Sequence, residues 1–235
     1  MMKIFVLTIF PGMFDGVLQH SILKRAIAKR CVDVHLYDIR DFARDKHKMT
    51  DDMPYGGGGG MVMKPEPIFA AVEHIVETHQ LTNHQIVYLS PQGETLTQDV
   101  AKTLALEDEL ILLCGHYEEI DERVRIALVD REISIGDYVL TGGELAAMVL
   151  IDVVARMLPG VVGKAQSVVS DSFYGRLLDY PHYTRPQEFR GMAVPEVLLS
   201  GHHKHIQEWR QQEALKRTKE RRPDLLSDSN DSSLK

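Results

Sequence analysis

The sequence predicts an α/β protein, a mainly parallel sheet covered by helices and followed by a smaller helical part. Two observations carry this. Short apolar, β-branched runs recur at "KIFVLTIF", "VDVHLY", "IVYLS" and "ELILLC", and helical patterns at residues 16–30, 67–79 and 97–106 lie between them. From Pro159 the texture changes to "PGVVGKAQSVVSDSFYGRLLDYPHYTRPQEFRGM", rich in Gly, Ser and Pro and without a sustained period. The expected organisation is therefore an α/β domain over residues 1–160, a linker over 161–172 and a helical domain over 173–235.

Composition fits this picture. The 235 residues are 44% hydrophobic and 26% charged, which are globular values. No apolar run reaches the roughly 18 residues of a membrane span. The opening "MMKIFVLTIFPGMFDG" has neither a basic leader nor a small-residue cleavage site and reads as a first strand. Cys31 and Cys114 have neither metal-ligand spacing nor a disulfide framework, so a reducing cytoplasm is expected. The formal charge of −7 is unevenly spread, with +2 over residues 173–235 and −9 over residues 1–172. Residues 202–222 hold 7 basic and 3 acidic side chains plus three histidines. Such a run is either a solvated helix face or an arm for nucleic acid.

Element by element, "SPQGET" (90–95), "CGHYEEIDERV" (114–124) and "SIGDYVLTGGE" (134–144) each follow a strand. Taken singly they are ordinary strand-to-helix turns. Together, outside the carboxyl ends of a parallel sheet, they define one pocket. They offer glycine and backbone polar groups but no lysine and no metal cluster, which suits an uncharged or zwitterionic ligand with an adenine-like ring better than a triphosphate. The next stretch, "ELAAMVLIDVVARMLPG", is apolar almost all round and calls for burial inside the fold or in a dimer interface. Asp152 and Arg156 share one face of it at i,i+4 spacing, as a mutual ion pair or with Arg156 available to hold an oxyanion. Asp171, in "SVVSDSFYG", is either a helix cap or a general base. "HYTRP" (182–186) combines side chains suited to phosphates and stacked bases. His202, His203 and His205 lack a second cluster, and no metal site is expected. The last helix is expected from an N-cap near Ser200 to before Pro223, with a disordered tail "DSNDSSLK" after it.

One stretch resists this account. "DDMPYGGGGGMVMKP" (51–65) holds five consecutive glycines, yet Lys64 precedes Pro65 rather than Ser or Thr, so it is no P-loop.

These pieces together resemble the bacterial tRNA (guanine-N1)-methyltransferase family of the SPOUT class. The resemblance rests on "FPGMF", "RDF", "DDMPYGGGGGM", "YLSPQG", "CGHYEEIDERV", "SIGDYVLTGGE", "IDVVARMLPGVVG", "DSFYGRLLDYPHYTRP" and "VPEVLLSGHHKHIQEWR", in family order over residues 4 to about 226. It implies a trefoil knot near the end of the α/β domain, S-adenosylmethionine as methyl donor and N1 of the guanosine 3′ of the tRNA anticodon as acceptor. It also implies a homodimer with active sites at the subunit interface. The family's cofactor positions fall here on Tyr88, Leu89, Ser90, Pro91, Gly93, Gly115, Tyr117, Glu118, Ile135, Gly136, Tyr138, Leu140, Gly142 and Gly143. Its catalytic aspartate matches Asp171 and its assisting arginine Arg156. The glycine run would lie over cofactor and target base. The sequence departs from the family pattern in the uninterrupted glycines, in His116 and in Ser170. A knotted RNA-binding regulator and a ribose 2′-O-methyltransferase are the alternative functions.

Overall fold

In the computed structural model the described residues are 1–162 and 171–227. The expected tail and most of the expected linker lie outside them. The chain divides into two compact units, Met1–Gly163 and Lys164–Lys235.

The first unit is built on five parallel strands, β1 (Met2–Thr8), β2 (Val32–Asp38), β5 (Gln85–Thr95), β6 (Glu109–Cys114) and β8 (Arg131–Ser134), in the order β2-β1-β6-β5-β8. Both faces of the central strands are covered, which is why they read as continuous apolar runs rather than alternations. Successive side chains still divide between two cores, as a period of two requires. Ile4, Val6, Val87, Leu89, Leu110 and Leu112 pack on one face with α2 (Ser21–Ala28), α4 (Gln98–Leu104) and α6 (Glu144–Met157). Phe5, Leu7, Ile86, Tyr88, Ile111 and Leu113 pack on the other with α3 (Pro65–His79) and α5 (Glu122–Leu128).

Two expectations for this unit change. The helix expected over residues 16–30 is two pieces, α1 (Asp15–Leu18) and α2, separated by an extended His20 at φ −129° and ψ 161°. Val17, Leu18, Ile22, Leu23 and Ala26 reach the same core across the break, so the apolar spacing hid it. The segment 90–95 is not a strand-to-helix turn. It is a bulge within β5, because both Leu89 and Glu94 stand in register with Ile133 of β8. The glycine stretch closes a hairpin between β3 (Asp51–Asp52) and β4 (Val62–Met63), and β4 pairs in parallel with β7 (Glu119–Ile120).

The second unit holds the hairpin β9 (Glu188–Phe189) and β10 (Met192–Ala193), the short helices α7 (Glu196–Leu199) and α9 (Asp224–Ser227), and the long α8 (His203–Arg221). Ser200 is not the cap of α8. Its hydroxyl donates to the Val197 carbonyl at 2.7 Å and Gly201 turns left-handed, so α8 starts from His202. Residues 179–183, which run into the "HYTRP" segment, lie against this helix. Arg210 covers the Tyr180 ring at 4.9 Å, Tyr183 meets Trp209 at 6.4 Å and Arg217 donates to the Asp179 carbonyl at 3.2 Å.

On the first unit, His79 of α3 packs on Phe5 at 4.6 Å and bonds the Tyr37 hydroxyl at 2.7 Å. Burial, then the charges of His35, Lys3 and His74, outweigh Asp33 and hold its pKa below the ordinary 6.5. The unfolded chain therefore binds this proton more readily, and stability present above the ordinary value is lost as pH falls through the folded one. Denaturant titrations between about pH 7 and about pH 5 should show that decline, and His79→Gln should flatten it. An unchanged slope in the variant would assign the proton uptake to another group.

Candidate active site

Because β6, β5 and β8 are adjacent and parallel, the connections leaving their carboxyl ends meet on one side of the sheet. They surround a cleft of about 640 Å³, counting its open mouth. Tyr88, Leu89, Ser90 and Pro91 line it from β5, Gly115, Tyr117 and Glu118 from the segment after β6, and Ile135, Gly136, Tyr138, Leu140, Gly142 and Gly143 from the segment after β8. Gly93 does not reach it. A Cβ there would overlap the backbone of Glu132 and Ile133, so this glycine lets the bulge lie flat on β8, beside a separate polar hollow with Gln92, Arg125 and Arg131.

Backbone contacts hold two sides of the cleft wall together. His116 and Gly142 form an antiparallel bridge, and the Gly143 N–H donates to the Gly115 carbonyl at 2.9 Å. A Cβ on Gly143 would stand 2.9 Å from Cys114 Cα, and one on Gly115 would stand 2.6 Å from the Tyr88 hydroxyl. Beneath this crossing Glu144, in the first turn of α6 and only 2% exposed, accepts from the Thr8 hydroxyl at 2.8 Å. That hydroxyl in turn accepts from the Phe10 N–H at 2.9 Å. Burial, and then the Glu144 charge, push the Cys114 thiol well above its ordinary pKa, so it is an inert core group.

The charged side chains lining the cleft are Glu118 and Glu119, with no lysine or arginine among the described residues. Tyr117 sits in the left-handed region at φ 62°, and burial followed by Asp51 raises its hydroxyl pKa. Burial and then the hydrogen bond to Glu119 raise that of Tyr88. Glu119, Ser134 and Thr141, inside the expected loop segments but not among the expected cofactor positions, also line the cleft, as do Ala146 of α6 and His116, which the sequence marks only as a departure.

The glycine hairpin is pinned beside the same cleft. Glu118 donates its N–H to the Met61 carbonyl and Asp121 its N–H to the Met63 carbonyl, both at 3.0 Å. Gly56, Gly57, Gly58 and Gly60 take φ of 87°, 78°, 126° and 80°, and the space a Cβ would fill at Gly56 to Gly59 is open. Backbone conformation, not crowding by the rest of this chain, therefore requires glycine at the first three positions.

Arg156 lies in the last turn of α6, half-buried, with Asp152 exposed one turn earlier. Asp171 belongs to the second unit. It is half-buried and opens a turn, its carbonyl accepting from the Tyr174 N–H at 3.3 Å. No helix begins over residues 172–178, so Asp171 does not act as the cap of a following helix there. The rings of His202 and His205 meet at 5.4 Å, tilted by 49°, and no group of metal-binding side chains occurs among the described residues.

Fold and cleft define a class, the parallel α/β proteins with a cleft at the carboxyl ends of adjacent strands. Within that class the sequence model described as tRNA (guanine-1)-methyltransferase TrmD matches residues 2–228. The chain is 52% identical over 230 residues to a Clostridioides difficile protein named tRNA (guanine-N(1)-)-methyltransferase, covering 98% of this chain and 100% of that one. Proteins of the same name from Geobacillus kaustophilus and Pelotomaculum thermopropionicum are 59% and 58% identical, covering 97% and 96% of this chain and 92% and 90% of their own. The chain belongs to the tRNA (guanine-1)-methyltransferase family.

The two glycine environments make a contrast that equilibrium unfolding can measure. Gly93→Ala forces a methyl into β8 backbone and should cost roughly 1–3 kcal/mol, whereas Gly59→Ala meets open space and should stay within about 0.5 kcal/mol. Equal effects would mean that β5 does not bulge against β8 at this glycine.

Proposed function

We propose that this protein transfers the methyl group of S-adenosylmethionine to N1 of the guanosine 3′ of the anticodon in tRNA. The observation that carries the reading is that thirteen of the fourteen residues singled out for cofactor binding surround one cleft in a chain of this family. The cleft fits the donor. Its wall closes on glycines, since a Cβ at Gly115, Gly142 or Gly143 would collide with Tyr88, with Glu144 and His116, or with Cys114, and its acidic lining favours a ligand carrying sulfonium and ammonium charge over a polyphosphate. When bound, S-adenosylmethionine supplies an electrophilic methyl group.

The chain's own work is on the acceptor. Guanine N1 carries a proton at neutral pH and is not nucleophilic until that proton leaves. In this proposal Asp171 takes the proton. An ordinary carboxylate is a much weaker base than the N1 anion, so the transfer needs help, and Arg156 supplies it by stabilising negative charge at O6. The bare Gly56–Gly60 hairpin leaves room beside the cleft rim for a base taken out of its stack.

The proposed organisation is a cofactor-binding domain over residues 1–160, closed by a trefoil knot, a linker over 161–172 and a tRNA-binding helical domain over 173–235. The crossing of Gly142 and Gly143 against Gly115 supports the knot, and the basic run on α8 supports the RNA-binding role. The protein would act in the cytoplasm as a homodimer. In support of the dimer, Leu145 and Val149 form a stripe on α6 that is 48% and 42% exposed, and the cleft and Asp171 fall in different units.

Asp171→Asn should bind S-adenosylmethionine normally but lose about a hundredfold or more in turnover on tRNA transcripts. The wild-type product should carry the methyl at N1 by nucleoside mass spectrometry and stop primer extension. A methylated ribose, or no product, would favour the 2′-O-methyltransferase or regulator alternatives instead.

A mixed dimer of a Gly143→Val subunit with an Asp171→Ala subunit should regain one working site, while each mutant homodimer stays inactive. Absence of recovery in verified mixed dimers would place the whole site within one chain.

A further inference from the structure

The Glu119 carboxylate, which the proposed function uses only as part of the acidic lining of the cleft, accepts four hydrogen bonds. Its Oε1 accepts from the Tyr88 hydroxyl and from the Ile120 N–H, the latter at 3.2 Å. Its Oε2 accepts from Gln92 Nε2 at 3.0 Å and Arg125 Nη2 at 3.1 Å. Arg125 reaches on to Glu132 of β8 at 3.2 Å. One carboxylate thus joins Tyr88 of β5, the bulge within that strand, α5 and, through Arg125, β8. Tyr88, which it holds, lines the cleft with its hydroxyl so close to Gly115 that no Cβ fits between.

We infer that Glu119 is the positioning residue of the cofactor cleft, fixing Tyr88 and the bulge at Ser90–Gly93 in the arrangement that binds the methyl donor. The inference rests on the proposed function for the identity of the ligand. Global stability is not the main task of this network. Glu119 and Arg125 remain 26% and 18% exposed, and a partly solvated ion pair adds little to folding. Its geometric effect is larger, because donors from β5, from the bulge in that strand, from β7 and from α5 converge on two oxygens. Glutamine would meet the same donors with a single acceptor oxygen and an NH₂ that repels them.

The test begins with calorimetry of S-adenosylmethionine on the wild-type protein, since failure to bind would overturn the proposed function and this inference with it. Given wild-type binding, Glu119→Gln should weaken cofactor affinity and raise the cofactor KM about tenfold, the loss expected from hydrogen bonds to a charged group. The kcat at saturating cofactor, the KM for tRNA and the thermal midpoint should stay close to wild type. Tyr88→Phe, which keeps the ring shape, should weaken affinity comparably, and the double variant should be little worse than either single one. Unchanged affinity in Glu119→Gln, or losses that multiply in the double variant, would overturn the positioning role. If Glu119→Gln does not fold, Tyr88→Phe decides alone, and wild-type affinity there would equally sink it.

Discussion

The cleft depends on one close approach, the passage of Gly142 and Gly143 across Cys114, Gly115 and His116 with nothing but backbone between them. The bridge from His116 to Gly142 and the bond from the Gly143 N–H to the Gly115 carbonyl hold two connections that are far apart in sequence. Any side chain at Gly143 would push against Cys114 Cα, an atom fixed in a fully buried strand. The sheet cannot yield, since interiors are close-packed. The connection from β8 would have to lift, and the cleft wall with it.

That approach is braced from below by a buried carboxylate. Glu144 is held by Thr8 at the end of β1 and stands at the start of α6, where the helix dipole favours a negative charge. Thr8 also fixes the Phe10 N–H, and Phe10 packs edge-on against His116 at 5.2 Å. The chain of contacts thus runs from β1 through α6 and Gly142 to His116 and back to Phe10. It explains why a glutamate can be buried there, and why the motif ends in Gly-Gly-Glu rather than in any other helix start.

Much of the sheet was legible because buried parallel strands are apolar on both faces. "KIFVLTIF" and "ELILLC" could hardly be anything else. β8 could not be named in the same way, since "REIS" has one apolar residue in four, and Arg131 and Glu132 are held by ion pairs instead of by a core. The bulge in β5 was hidden for a different reason. Pro91 and Gly93 are turn residues by local chemistry, and only the register with Ile133 shows that the strand resumes. The cleft glycines could be found because close backbone contact leaves a residue-type signature. Glu119 lay within one of the expected pocket segments, yet its bracing role could not be read there, since a carboxylate that joins several elements looks, in a linear sequence, like any charged residue in a turn.

The charge distribution and the glycine hairpin meet in one consequence of the proposed chemistry. A cleft lined by Glu118 and Glu119 attracts a cationic donor and repels phosphate, so the RNA backbone must be held elsewhere, and the basic run of α8 offers the place. Only an uncharged part of the RNA, a base, can then approach the acidic rim without electrostatic cost. Side chains on the hairpin would occupy that approach. Gly56, Gly57 and Gly58 keep it open while a backbone path through positive φ carries the chain around the rim. Five glycines in a row are in this light a way of admitting a neutral ring to a site that excludes its phosphates.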